Sequence, residues 1–376
     1  MSKSTRQVMV GDIAIGGGAP ISVQSMTSVY TYDIDASIKQ INQLATAGAD
    51  IVRVAVPHKK DTEALPEILS QVSVPIVADV HYHFDRALEA IDAGVHKIRL
   101  NPGNINDRAQ VKRVIDACKD SGISIRVGVN EGSIIERSNE QQRTVDQSKG
   151  LVPLIVEKLE DYIRIFDERD FHDVVLSAKS INARLCIEAY SAISRRFDYP
   201  LHLGVTHAGP PETGTIRSAV ALGTLLAQGI GDTIRVSFAA DPVTEVDAGR
   251  EILYSLGLKQ RIDPELIACP TCGRIEVDLI KLVADIREKL KNVTKPVKVA
   301  IMGCVVNGPG EAEGADVAIF AGRGRGIIYV NGEQTRTVTE DEMLDALLEE
   351  VENFPIDQIS DATVNIVPPV SKGASN

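Results

Sequence analysis

Short apolar runs alternate with helical patterns over roughly the first 255 residues of the chain. Between the runs, apolar residues recur at three- and four-residue spacing, as in 36–48, 107–122 and 183–196, which is typical of amphipathic helices. Gly48, Gly94 and Gly122 stand where such helices should stop. The runs occupy 21–28, 50–56, 74–80, 97–102, 123–130, 173–180, 201–209 and 233–241. Eight β-α units in this length predict a (β/α)8 TIM-type barrel.

A doubly wound open sheet is the alternative arrangement of parallel strands. Such sheets usually carry a glycine-rich loop directly after the first strand. The segment "GGGAP" at 16–20 comes before the first apolar run instead of after it. The position of this segment therefore favours the barrel.

The pattern changes beyond residue 260. A helical pattern covers 276–291, strand-like runs cover 297–303 and 315–322, and 326–338 form a hairpin pattern around an Asn-Gly turn. A second helical pattern follows at 340–354. We therefore predict two domains: a barrel over 1–260 and a small α+β domain over 261–376.

Composition narrows the classes of partner. The chain has 376 residues with 40 Lys and Arg against 52 Asp and Glu, so its formal charge is −12. An acidic chain with 4% aromatic residues and no Trp is poorly suited to binding nucleic acid or membrane surfaces. The N-terminal residues lack a signal-peptide core, and the apolar stretch at 219–231 is too short to span a membrane. With five cysteines in this length, we expect a cytoplasmic protein with reduced thiols.

Cationic residues recur inside the predicted barrel strands. The phrases "IVRVA", "KIRLN", "SIRVG" and "TIRVS" each place an arginine in a β-branched run, and a lysine ends the sixth strand. The C-terminal ends of barrel strands form the active-site face, and arginine forks suit phosphate. Internal salt bridges are the alternative, but the recurrence favours an anion site. The cations are Arg53, Arg99, Arg126, Lys179 and Arg235, and the polar residues at the same level are Asp79, His81, Asn101, Asn130 and Ser237.

His207 stands at the end of the seventh predicted strand, in "GVTHAG". A histidine there could act as an acid–base group. A strand-end histidine is also often a hydrogen-bonded structural residue. The sequence leaves both roles open.

Three cysteines in the small domain form an incomplete metal site. Cys269 and Cys272 are spaced as C-x2-C in "ACPTCG", and Cys304 opens "CVVNGPGE", which ends in Glu311. Structural zinc usually takes two such pairs, or one pair with histidines, and no histidine follows residue 207. Thiolates are the preferred ligands of iron–sulfur clusters. Zinc remains the alternative, and Cys118 and Cys186 lie in helical patterns as core thiols.

The two cysteine motifs, together with "KIRLNPGN", "HLGVTHAGP" and "GIGDTIRVSFAADP", resemble the 4-hydroxy-3-methylbut-2-en-1-yl diphosphate synthase family in its bacterial two-domain form. The resemblance implies a 4Fe–4S cluster held by Cys269, Cys272, Cys304 and Glu311. It implies reduction of 2-C-methyl-D-erythritol 2,4-cyclodiphosphate with ring opening and loss of water, in isoprenoid biosynthesis. The barrel cations, with Asn101, Asn130 and Ser237, match the family's phosphate contacts.

The resemblance also implies partners. The electron donor would be ferredoxin or flavodoxin, and the protein would be a homodimer. Many members of the family carry glutamate where this chain has His207, which leaves the proton donor open. The competing functions are a non-redox barrel enzyme with a structural zinc module, and a non-catalytic anion-binding protein.

Overall fold

The computed structural model describes residues 5–80, 83–100, 107–130, 150–305, 310, 312 and 314–359. The chain divides into two compact units, with Met1–Lys259 in the first and Gln260–Val367 in the second. The described residues include no helix of the length and apolar character needed to cross a membrane.

Eight parallel strands form the sheet of the first unit. Strands β3 to β8 pair in sequence order, β10 pairs with β3 and β9, and a bridge from Leu176 to Leu201 closes the ring. The (β/α)8 barrel predicted from the sequence is therefore confirmed. The strands are β3 Ser22–Met26, β4 Ile51–Ala55, β5 Ile76–Asp79, β6 Lys97–Leu100, β7 Ser124–Asn130, β8 Val174–Lys179, β9 His202–Leu203 and β10 Thr233–Ile234.

Helices follow the barrel strands, and several begin at a capping side chain. Asp33, Asp107, Asn182 and Asp241 each accept a hydrogen bond from a backbone N–H of the first helical turn. Gly48, Gly94 and Gly122 follow helix ends with φ of 97°, 90° and 66°, as the sequence predicted. Within the described residues of this unit, the helices are α1 Ile34–Thr46, α2 Lys59–Gln71, α3 Phe84–Asp92, α4 Arg108–Ser121, α5 Leu151–Asp167, α6 Ala183–Arg196, α7 Pro211–Ala227 and α8 Pro242–Ser255.

A short hairpin closes the N-terminal end of the barrel. Strands β1 (Val8–Val10) and β2 (Ile13–Ile15) pair antiparallel, and Val10 and Ile15 pack against Ile51 and Val77 in one buried cluster. Sequence analysis missed this hairpin because three-residue strands are too short to display a period. The apolar cluster seals the barrel floor, so the barrel interior opens toward the C-terminal strand ends.

The barrel strands are apolar on the outside and largely polar on the inside. Alternate residues such as Val52, Val54 and Ile98 pack in the large apolar core cluster. The residues between them point into the barrel, which agrees with the two-residue period of a strand. Buried inward-facing polar residues are Ser22, Gln24, Arg53, Asp79, Lys97, Ser124, Arg126, Ser177, His202 and Thr233.

In its described residues, the second unit is a five-stranded mixed sheet with two α-helices. Its first three strands run parallel and its last two antiparallel, with Asn331 and Gly332 at φ of 50° and 80° in the predicted hairpin turn. The first of these strands, β11 (Glu265–Ala268), was not predicted from the sequence. The elements are β11 Glu265–Ala268, α9 Leu279–Leu290, β12 Lys298–Met302, β13 Val317–Gly322, β14 Arg325–Val330, β15 Glu333–Thr339 and α10 Met343–Asn353, which a 3-10 turn at Glu340–Glu342 precedes.

Candidate active site

Two of the predicted arginines share one carboxylate inside the barrel. Asp79 lies at the end of β5, between β4 and β6. Its Oδ1 accepts a hydrogen bond from Arg99 Nη1 at 3.1 Å, and its Oδ2 lies 3.5 Å from Arg53 Nε. The salt-bridge interpretation therefore holds for these two arginines, which share this carboxylate.

Arg235 has a carboxylate partner that the sequence did not suggest. Its Nη2 lies 3.4 Å from Glu245 Oε2, and Glu245 Oε1 accepts the backbone N–H of Phe238 at 2.9 Å. Glu245 belongs to α8, and its spacing from the strand gave no signal in the apolar pattern. The pair fixes Arg235 at the C-terminal end of the barrel.

The thioether of Met26 lies between two arginines. Its sulfur accepts from Arg53 Nη2 at 2.9 Å and from Arg235 Nη1 at 3.6 Å. A thioether is a weak acceptor and carries no charge. A phosphate oxygen would be a stronger partner for both guanidinium groups.

Of the four predicted arginines, Arg126 is the one whose positive charge has no carboxylate partner among the described residues. Its side chain is 1% exposed, it has no ion pair within the described residues, and its Nε and Nη1 find no hydrogen-bond partner there. Burial, followed by repulsion from Arg53 and Arg99, lowers the pKa of Arg126 well below its ordinary value. Guanidinium groups stay protonated in proteins, so this shift expresses electrostatic strain that a bound anion would relieve.

Lys179 lies half-buried at the end of β8, also without an ion pair in the described part of the chain. A Cβ on Gly204 would lie 3.0 Å from Lys179 Nζ, so the glycine leaves room for the lysine. Burial, then repulsion from Arg126, lowers the pKa of Lys179 well below its ordinary value. Among the described residues, the cations at the barrel mouth therefore outnumber the carboxylates.

A second polar layer lies below the arginines, and sequence analysis missed it. Lys97 and His202 are both 0% exposed, and neither the Lys97 amine nor the His202 ring nitrogens have hydrogen-bond partners among the described residues. Burial lowers the pKa of both groups well below their ordinary values. A signal was present: Lys97 precedes Arg99 by two residues, so the strand period places both on one face.

Of the other predicted barrel residues, the structure describes some in full, one by its backbone alone and two not at all. Ser237 is half-buried just after β10. His207 is exposed in the segment after β9 and has φ 51°, a left-handed conformation that residues other than glycine seldom adopt. Asn130 ends β7 opposite Lys179 in the strand register, and only its backbone is described. His81 and Asn101 lie outside the described residues.

In the second unit, two cysteines follow the ends of neighbouring parallel strands. Cys269 comes directly after β11 and Cys304 comes shortly after β12. The Cys269 N–H donates to the Ile301 carbonyl at 3.2 Å, and the Cys269 sulfur accepts the Gly303 N–H at 3.2 Å. The strand pairing therefore holds the Cys269 thiol beside the backbone that leads into Cys304.

The remaining cysteines separate into two groups. Cys272 is exposed in the loop after Cys269, whereas Cys118 and Cys186 are buried in α4 and α6, as the sequence predicted. All five cysteines lie within the described residues, and none of them forms a disulfide bond there.

The donor set fits a thiolate-bound cluster in its chemistry. Two of the three thiols of this unit follow β11, and the third follows β12, the parallel strand beside it. The hydrogen bond from a backbone N–H to the Cys269 sulfur is a contact that stabilises thiolates. Glu311 lies outside the described residues. Among those that are described, no three His, Cys, Asp or Glu side chains are gathered closely enough to hold a metal ion.

Comparisons with known proteins match both units. Residues 5–250 match a family model described as the GcpE TIM-barrel domain, and residues 265–353 match the GcpE protein C-terminal domain. A relative from Symbiobacterium thermophilum is 50% identical over 93% of this chain and 93% of its own, and one from Clostridium perfringens is 46% identical over 94% and 99%. Both are named 4-hydroxy-3-methylbut-2-en-1-yl diphosphate synthase (flavodoxin).

A likeness to solved structures is weaker. The dihydropteroate synthase of Yersinia pestis is 14% identical with a TM-score of 0.48, over 67% of this chain and 99% of that one. A similarity at this level carries no weight for function.

Proposed function

Because the chain belongs to the GcpE family of 4-hydroxy-3-methylbut-2-en-1-yl diphosphate synthases, we propose that its cation-rich barrel binds the substrate and that its second unit holds an iron–sulfur cluster. The chain is an oxidoreductase of isoprenoid biosynthesis. It converts 2-C-methyl-D-erythritol 2,4-cyclodiphosphate into 4-hydroxy-3-methylbut-2-enyl diphosphate. The conversion opens the cyclic diphosphate, removes water and consumes two electrons.

The uncompensated charge at the barrel mouth is the observation that supports this assignment of the substrate site. Arg126 and Lys179 have no carboxylate partner among the described residues, while Arg53 and Arg99 share Asp79. A ligand with two negative phosphates would supply the missing partners, and arginine forks bind phosphate oxygens in pairs. Without such a ligand, the buried guanidinium of Arg126 costs the fold several kcal/mol, on the order expected for an unpaired buried ion.

The cations have distinct tasks in this proposal. Arg53 and Arg235 would exchange the weak Met26 thioether for phosphate oxygens, because a charged oxygen is the stronger acceptor. Arg126 would hold the diphosphate from below and stabilise the negative charge that appears when the ring C–O bond breaks. Asn130 and Ser237, with His81 and Asn101, are proposed to contact the substrate alongside Lys179.

We propose Cys269, Cys272, Cys304 and Glu311 as the ligands of a 4Fe–4S cluster. A cluster supplies single electrons and, at an iron with a displaceable ligand, a Lewis acid. Of the protein's own groups, the Gly303 N–H supports this assignment, because a hydrogen bond to the Cys269 sulfur stabilises it as a thiolate. Glu311 is proposed as the displaceable ligand, since a carboxylate is a harder and weaker ligand than a thiolate.

The role of His207 can be tested by substitution. If His207, and no other group at the barrel mouth, supplies the single proton that turnover consumes, His207→Ala should lower kcat by about a hundredfold with little change in KM. His207→Glu, which introduces the residue that many family members carry, should recover most of the rate. Native kcat in His207→Ala would remove this residue from the mechanism. We expect steady-state kinetics with a chemical reductant to decide.

We propose reduced flavodoxin as the electron donor, with ferredoxin as the alternative, because the curated relatives carry flavodoxin in their names. We propose that the protein acts in the cytoplasm, where this carrier and reduced thiols are found.

A homodimer is proposed from the connection between the units. Helix α8 ends at Ser255 and β11 begins at Glu265, so the linker is short. A helix that follows a barrel strand ends at the face opposite the active site. The cluster unit would therefore reach a partner's barrel mouth more easily than its own.

Subunit mixing tests this sharing. At a substrate concentration near the native KM, Arg126→Met and Cys304→Ala should each have almost no activity alone. If each site combines the barrel of one chain with the cluster of the other, randomly mixed dimers should recover about one quarter of native activity. No recovery in mixtures whose subunits have exchanged would contradict sharing, as would a fully active monomer in light scattering.

Metal analysis separates the proposed function from its zinc alternative. Anaerobically purified protein should contain iron and acid-labile sulfide and should be brown. Zinc without sulfide would indicate a non-redox barrel enzyme with a structural zinc module. Binding of the cyclic diphosphate without turnover, by protein with a full complement of iron, would indicate an anion-binding protein.

A further inference from the structure

The reaction consumes a proton as well as electrons. One C–O bond to the diphosphate breaks, one C–O bond to a hydroxyl breaks, and a carbon–carbon double bond forms. The substrate carries two negative charges and the product three, so two electrons and one proton enter while one water leaves. Some group at the barrel mouth must deliver this proton to the departing hydroxyl oxygen.

Most cationic groups at the mouth are unable to exchange a proton near neutral pH. The guanidinium groups of Arg53, Arg99, Arg126 and Arg235 stay protonated throughout. An amine differs, because burial among cations can remove its proton. Among the described cations that the sequence placed at the mouth, Lys179 is the amine.

The surroundings of Lys179 disfavour its protonated form in the free protein. It is half-buried at the end of β8 and has no ion pair within the described ranges. Its pKa lies well below the ordinary value, because of burial first and then repulsion from the neighbouring arginines. Among the described residues, the charged and titratable groups that interact with Lys179 are Arg53 on β4, Arg99 on β6, Arg126 on β7, Arg235 after β10, Glu245 on α8 and His202 on β9.

None of these groups offers an equivalent exchangeable proton. Burial raises the pKa of Glu245, but one of its carboxylate oxygens pairs with Arg235 and the other accepts the Phe238 N–H. His202 lies in the deeper layer at 0% exposure, and burial lowers its pKa well below the ordinary value, so it is neutral. Asp79 accepts from Arg99 and lies beside Arg53. Lys179 is thus placed to change its charge when a dianion arrives.

We infer that Lys179 is a catalytic residue of this reaction: it is uncharged in the free protein, takes up one proton when the cyclic diphosphate binds, and delivers that proton to the departing hydroxyl. The inference rests on the proposed substrate site. In the delivery step an N–H bond of Lys179 breaks, an O–H bond of the released water forms, and the amine returns to its neutral form. The electrons come from the reduced carrier protein.

The sign of the pH dependence follows from this linkage. The bound diphosphate raises the pKa of Lys179, so the complex holds one more proton than the free protein at any pH between the two values. Affinity should therefore weaken as the pH rises through this window, by up to roughly tenfold per pH unit. The ligand contributes no proton of its own, because each phosphate of the ring has a single, strongly acidic ionisation.

Calorimetry of the oxidised holoenzyme measures the proton directly. Cyclic diphosphate is titrated without reductant in buffers of different ionisation enthalpy, so that binding is observed without turnover. We expect uptake of about one proton per bound ligand in the native protein. Absence of binding would contradict the proposed function, whereas binding without proton uptake would contradict only the role of Lys179.

Two variants distinguish Lys179 from a purely electrostatic contact. Lys179→Arg keeps a permanent charge, so its affinity should stay within about tenfold of native, with no proton uptake and with turnover lowered by about a hundredfold or more. Lys97→Met is the matched control, because it removes the other buried amine, below the arginine layer. It should retain the proton uptake of the native protein. Native turnover in Lys179→Arg would overturn the inference. It would also be overturned if Lys97→Met lost the proton uptake while Lys179→Arg kept it.

If Lys97→Met fails to fold, the native protein still gives an answer. Nuclear magnetic resonance of protein labelled with ¹⁵N at the lysine amines reports the charge of each amine. The Lys179 resonance, assigned by its absence in Lys179→Arg, should move from the neutral to the charged position when the ligand is added. A Lys179 signal that is already at the charged position in the free protein would overturn the inference.

Discussion

Arg126→Met is expected to weaken binding of the cyclic diphosphate by about a hundredfold or more, because a desolvated, charge-assisted contact contributes roughly 2–5 kcal/mol. The same change should leave the fold intact or raise its free energy of unfolding by about 1–4 kcal/mol. The reason is that Arg126 is 1% exposed and has no ion pair among the described residues. Opposite effects on binding and on stability are characteristic of a residue retained for function.

Arg250→Met is the matched control for this prediction. Arg250 is also buried, but it donates to the Ala47 carbonyl at 2.7 Å and to the Tyr254 hydroxyl at 2.6 Å, away from the barrel mouth. Its loss should lower stability by about 1–3 kcal/mol and leave the affinity near native. Calorimetric titration and chemical denaturation measure both quantities. Native affinity in Arg126→Met would place the anion site elsewhere.

Replacement of any one of Cys269, Cys272 or Cys304 by alanine is expected to reduce turnover to background and to deplete bound iron. Each thiolate is a proposed ligand, and a cluster that lacks one ligand loses iron readily. Cys186→Ala is the control, because Cys186 is a buried thiol of α6 in the barrel. It should keep native iron and turnover. Iron per chain after anaerobic purification distinguishes the two groups, and full iron in all three variants would refute the ligand set.

Glu311 should behave differently from the cysteines. Glu311→Cys is expected to keep a cluster with native iron content, yet to lose most turnover because a thiolate would not give way to a substrate oxygen. Glu311→Ala should leave a labile cluster that loses one iron. Native turnover together with native iron in Glu311→Cys would contradict the role of Glu311 as a displaceable ligand.

The barrel could be predicted because its strands repeat one local pattern. Each long strand shows a β-branched run, and the helices between them end at glycines such as Gly48 and Gly122 with positive φ. The N-terminal hairpin and β11 escaped prediction because segments of three or four residues carry too little periodicity. Strands β9 and β10 are only two residues long. The ring therefore closes there because these residues pair in register with neighbouring strands, and not because a long segment has a high intrinsic strand propensity.

The site could be predicted in part. Arginines in β-branched runs are unusual enough to be recognised without a structure, and so are the two cysteine motifs. The partners Asp79 and Glu245 show why pairing could not be predicted, since Glu245 comes from a helix packed beside the barrel. The buried layer of Lys97 and His202 escaped prediction, although the two-residue strand period places Lys97 on the same face of the strand as Arg99.

The central claim is that this chain opens a cyclic diphosphate reductively with a cluster held by its own cysteines. The most direct test is the rate of enyl diphosphate formation from the cyclic diphosphate, with a chemical reductant, across preparations of different iron content. The account predicts a rate that rises in proportion to iron, up to about four iron per chain. Iron-replete protein that forms no product, or zinc-loaded protein that forms it equally well, would contradict the account.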